Sequence, residues 1–238
     1  MEWKVFLTGD EFDLDALSKS FSGPDPAVVR EDEGFVLRSS RFSQFDDSDA
    51  VRADAEYLLM LLNGAARLAL HARRPIVIRD VVLIQNDGAK VYYKSVADTI
   101  YIRATASATL KRGDGVEEQF NEANVVSEWV NAGLGSEAVA RVLGLFATKP
   151  VDWVNLYRIL EVVEGDVGGP KSIADQGWAT REALKRFKHT ANSVFASGDD
   201  ARHGTERTQP PADPMTLSEA RSFIEAIVHN WLRTKENP

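Results

Sequence analysis

The apolar residues of this chain change their spacing once, and that change limits the architecture more than any other feature. Up to Lys111-Arg112-Gly113-Asp114-Gly115 the dominant pattern is alternation with period two, interrupted by two helical stretches. Beyond it, every apolar run recurs at intervals of three and four residues, as on one face of a helix. The switch predicts an α+β N-terminal domain over residues 1–114, an antiparallel sheet with two helices, followed by an all-α helical bundle over residues 115–238.

In the first part, Trp3, Val5 and Leu7 alternate with Lys4, Phe6 and Thr8, which predicts a strand with two distinct faces. Asp13 is expected to cap a short helix carrying Leu14, Leu17 and Phe21. The segments 27–30 and 35–38 flank Glu31-Asp32-Glu33-Gly34 and predict a hairpin, with Gly34 free to take a positive φ. A long helix is predicted from Ala50 to about Leu70; Leu59, Met60 and Leu61 widen its apolar stripe, so it is expected to be covered on more than one side. Three strands, at 76–85, 89–95 and 99–111, complete a meander.

The second part predicts helices at 119–131, after Ser136, after Asp152, from Thr180 and after Thr216. Thr216-Leu217-Ser218-Glu219 is a capping box, in which hydroxyl and carboxylate satisfy donors left free at the helix start. Gly133 and Gly135 are expected to end the first of these helices, and Gly165 to Pro170 the third. Trp153 and Trp231 lie on apolar stripes and are read as core residues.

Several chemistries fail on composition. There is no cysteine, so disulfides, thiolate metal sites and a cysteine nucleophile are excluded. No Gly-rich phosphate loop or dinucleotide-binding fingerprint occurs, and no Gly-x-Ser-x-Gly elbow. His71, His189, His203 and His229 show no ligand spacing, so neither a metal nor a cofactor is expected. The acids at 10–15 and 46–49 are read as helix-start residues. No apolar run approaches the length of about 20 residues that a membrane-spanning helix needs, so no membrane partner is expected. The N-terminus lacks the pattern of a signal peptide, which makes a cytoplasmic location the expectation. A net charge of -8 argues against broad coating of nucleic acid, yet Arg181, Lys185, Arg186 and Lys188 form a local basic patch.

The densest polar stretch, Arg186 to Thr216, holds Asp199-Asp200-Ala201-Arg202-His203-Gly204 between two predicted helices. Arginine binds phosphate oxygens bidentately and keeps its charge, whereas histidine exchanges a proton near neutral pH. A metal-free ribonuclease needs both: a base for the 2'-hydroxyl and a cation on the developing charge. In this pairing, and in its helical setting over roughly residues 136–238, the chain resembles the HEPN superfamily of helical bundles found in prokaryotic toxins and phage defence. Arg202-His203 is similar to the first half of that family's ribonuclease motif. Arg207, Thr208 and Gln209 stand where its later histidine is expected.

The resemblance implies an RNA-directed protein, either a metal-independent endoribonuclease or a degenerate relative in phage defence, working as a homodimer. Arg202 and His203 would be its catalytic residues, and Arg186, Lys188, His189 and Arg207 its RNA-binding cations. The alternative is a non-enzymatic dimerisation or protein-interaction module whose N-terminal domain holds a partner protein. On that reading Arg202 pairs with Asp199 or Asp200, and His203 donates to a helix carbonyl.

Overall fold

The computed structural model describes residues 2–23, 25–86, 89–94, 122–198, 201–202 and 211–235. Strand β1 (Glu2–Thr8) lies at the centre of a five-stranded antiparallel sheet, in the order β2-β3-β1-β4-β5. Its neighbours are β3 (Gly34–Arg38), hairpin partner of β2 (Ala27–Glu31), and β4 (Val77–Ile84), which pairs with β5 (Lys90–Lys94). Alternation decides the two faces. Val5, Leu7, Leu37 and Val81 join the main core, while Phe6, Val36 and Val82 form a small separate cluster on the other side. The hairpin turn has Gly34 at φ +129°, a backbone conformation that a Cβ disfavours. The meander's last strand, expected at 99–111, and the boundary at 114/115 lie outside the described residues.

Helix α1 (Glu11–Ser20) is capped by Asp10, not by the expected Asp13: its carboxylate accepts from the Phe12 and Asp13 amides. A carboxylate at the residue before the first turn reaches donors that one inside the turn does not. Helix α2 (Ser48–Ala69) begins at Asp47, whose carboxylate accepts from the Asp49 and Ala50 amides at 2.9 Å each. A short 3-10 turn, Ser40–Gln44, precedes it. Asn63 of α2 holds the start of β4 by two bonds, donating to the Ile76 carbonyl at 2.9 Å and accepting from its amide at 2.8 Å.

The wide apolar stripe of α2 has its physical reason in what covers it. One side meets the sheet; the other meets α3 (Glu122–Gly135) and α4 (Glu137–Thr148). Gly64 is the close point: a Cβ built there would lie 2.8 Å from the Leu143 Cα and nearer still to its carbonyl. Arg67 adds a bond to the Phe146 carbonyl at 2.8 Å. Helix α3 ends at Gly135, one of the two glycines expected to stop it, but runs through Gly133, which packs on Leu61 and Leu143 instead of making a turn.

Helix α5 (Trp153–Val167) follows its Asp152 cap and ends at Gly168, φ +86°. Gly169 also has positive φ, and Pro170 then starts a short helix that the sequence reading lacks, α6 (Pro170–Asp175). Helices α7 (Arg181–Asn192), α8 (Val194–Ser197) and α9 (Leu217–Arg233) complete the fold, the last with its capping box formed. The class is α+β, and a single apolar core runs from β1 to α9. Among the described residues no helix is long and apolar enough to cross a membrane.

Candidate nucleic-acid interface

Helix α7 is built to present cations outward. Leu184, Phe187, Thr190 and Ala191 are its buried residues, and the Phe187 ring sits 6.2 Å from Trp153, 6.1 Å from Tyr157 and 5.9 Å from Phe223. These aromatic contacts tie α7 to α5 and α9. With that face fixed, Arg181, Lys185, Lys188 and His189 fall on the side toward α6. The two left-handed glycines fold α6 back beside α7, which brings Lys171 to the same place.

The result is a groove of about 530 Å³ lined by Pro170, Lys171, Arg181, Leu184, Lys185, Lys188 and His189. Asp175 bridges its rim at 3.7 Å from Lys171 and 3.5 Å from Arg181, contacts long and exposed enough to yield readily to an incoming anion. Lys188 pairs with Glu164 of α5 at 2.7 Å. Lys185 has no ion-pair partner among the described residues. Four cations lining one groove are an arrangement whose chemistry suits an anion, with Lys188 having to leave Glu164 before it can contribute.

The residues expected to act on RNA divide differently. Lys188 and His189 line the groove. Arg186 does not; its guanidinium donates to the Asp213 carbonyl at 2.6 Å and meets the Asp213 carboxylate at 2.9 Å, clamping the chain that leads into α9. Beside it the Thr190 hydroxyl donates to the Arg186 carbonyl at 2.9 Å and accepts from the Met215 amide at 3.1 Å. His203 and Arg207, with Asp199 and Asp200, lie outside the described residues.

Arg202 is held on four counts. Its amide donates to the Ala191 carbonyl at 2.8 Å, its guanidinium donates to Glu161 at 3.0 Å, the plane lies 4.1 Å from the centre of the Tyr157 ring, and its side chain is only 31% exposed. The carboxylate it meets is on α5, far away in the sequence. A phosphate reaching this arginine has to displace Glu161.

His229 is elsewhere, at the junction of α9 with α2 and α3. Its ring lies 5.1 Å from Trp129 and its Nε2 is buried without a partner. Burial pushes the imidazole below the usual histidine value, and Arg233 and His71 push the same way, against Glu225 and the Leu68 carbonyl. The folded protein therefore favours the neutral ring. As pH falls from the ordinary histidine value, about 6.5, the unfolded chain gains a proton first, so this contribution to stability is lost as pH drops through the lowered folded value. Between pH 7 and pH 5 the melting temperature of the wild type is expected to fall more steeply than that of His229→Phe; parallel curves rule this out.

Three contributors went unseen in the sequence. Lys171 rides on α6, whose Gly-Gly-Pro start is the signal that could have revealed it. Glu161 and Tyr157, which hold Arg202, carry no local mark at all. Among the described residues no cluster of three or more His, Cys, Asp or Glu is placed to hold a metal ion. No family model, curated protein or solved structure matches this chain.

Proposed function

We propose that the chain is a HEPN-like, RNA-directed protein that binds RNA through the α6–α7 groove, with the helices after residue 121 as its bundle and Arg202 as a brace of that bundle. The observation that carries this reading is the convergence of Lys171, Arg181, Lys185, Lys188 and His189 on one groove. The engagement of Arg202 by Glu161 and Tyr157 favours a degenerate relative over an active endoribonuclease.

Fluorescence anisotropy with a single-stranded RNA, repeated across salt concentrations, tests it. Each phosphate contact on a single strand contributes about -0.7 to the slope of log affinity against log salt, so four contacts give about -3. Replacing Lys171, Arg181 and Lys185 together by alanine is expected to remove about two units of that slope. Arg202→Ala is expected to leave RNA affinity unchanged and to cost about 1 kcal/mol of stability, from the lost ring contact and a half-exposed ion pair. Absence of RNA binding by the wild type at low salt refutes the proposal. Metal-free RNA cleavage by the wild type that disappears in Arg202→Ala refutes the brace and restores the ribonuclease.

A further inference from the structure

We infer that the α6–α7 groove takes an RNA end, a terminal nucleotide carrying a phosphomonoester, and not a run of interior backbone. This rests on the RNA-binding reading above and specifies its ligand.

The positive charge is tightly confined. Lys171, Arg181, Lys185 and Lys188 surround a groove of about 530 Å³, within the range that single small ligands occupy. Among the described residues, carboxylates stand at both sides of the groove. Asp175 stands at the Lys171 and Arg181 side, 3.7 and 3.5 Å away, and Glu164 stands at the Lys188 side at 2.7 Å. Glu161 lies one turn before Glu164 on α5, already paired with Arg202. A strand crossing the groove would carry phosphates past carboxylates on the way in and on the way out, on a chain whose net charge is already -8. A ligand that ends inside the groove meets the cations without that repulsion.

Charge density also favours a terminal phosphate. A phosphomonoester carries about -1.5 to -2 charges at neutral pH, against one for an interior diester. Several ammonium and guanidinium groups converging on one place match the former better. The floor supplies the rest. Exposed Pro170 offers an apolar surface against which a ribose can rest, beside the donors that hold the phosphate.

The test uses the full chain and three RNA oligonucleotides of one sequence, carrying a 5'-phosphate, a 3'-phosphate, or hydroxyls at both ends. Anisotropy is expected to show one phosphorylated form binding at least about tenfold more tightly than the hydroxyl form, and which form prefers the groove identifies the end. Lys185→Gln and Arg181→Gln, both exposed, are expected to abolish the preference. Equal affinity for all three RNAs overturns the inference and leaves RNA binding standing. A preference that both variants retain places the phosphate elsewhere and also overturns it. No binding of any RNA overturns the reading on which it rests.

Discussion

Gly64→Ala is expected to destabilise the protein by about 2 kcal/mol, a fall in melting temperature of roughly 4–8 °C for a chain of this size. The sign is the point. In an exposed helix the same change stabilises by up to about 1 kcal/mol, since glycine is the poorer helix former. At Gly64 the added methyl would lie 2.8 Å from the Leu143 Cα, and the obstacle is the backbone of α4, which has no rotamer to change. Gly165→Ala in α5 is the control, because nothing lies within 4 Å of a Cβ there; it should raise the melting temperature slightly. Calorimetry on both variants checks the pair, and a stabilised Gly64→Ala would show that α2 and α4 do not approach as described.

Trp231→Ala carries the larger cost, about 3–5 kcal/mol, as expected for deleting a buried aromatic. Trp231 is 0% exposed, and its indole donates to Asp166 at 2.8 Å, joining α9 to the end of α5. Lys235 completes the arrangement, 2.7 Å from Asp166 and 5.6 Å from the centre of the indole ring. Burial raises the Asp166 carboxyl, but the bonds from Lys235 and Trp231 outweigh it and hold the group below its usual range. Trp231→Phe keeps most of the apolar volume and leaves Asp166 with Lys235, so its loss should be less than half as large. Chemical denaturation of the two variants measures the difference. A Trp231→Ala midpoint close to that of the wild type would contradict the packing of α9.

Local features were read most faithfully from the sequence, because local forces set them. The β1 alternation, the hairpin at Gly34, the caps at Ser136 and Asp152 and the box at Thr216 each need only neighbours in the chain. Glycines misled where their role was tertiary. Of the two glycines read as the stop of α3, Gly135 ends it, whereas Gly133 serves to let Leu61 and Leu143 approach. The same ambiguity, in reverse, hid α6: Gly168-Gly169-Pro170 ends one helix and begins another. Strand order had no local mark either, since placing β1 between β3 and β4 depends on pairings that cross α1 and α2.

The groove between α6 and α7 was half legible for the same reason. Arg181, Lys185 and Lys188 shared a face at helical spacing, and that face is the groove wall. What periodicity could not supply was the partner of each charge. Arg186 points to the chain before α9 and Arg202 to Glu161, and both depend on residues brought near only by folding.

Arg202 is fastened to the Ala191 carbonyl and Met215 to the Thr190 hydroxyl, so both feet of the intervening segment stand on adjacent residues of α7. One turn of α7 thus carries both attachments, so a change that shifts Thr190 or Ala191 is felt at Arg202 and at the start of α9 together.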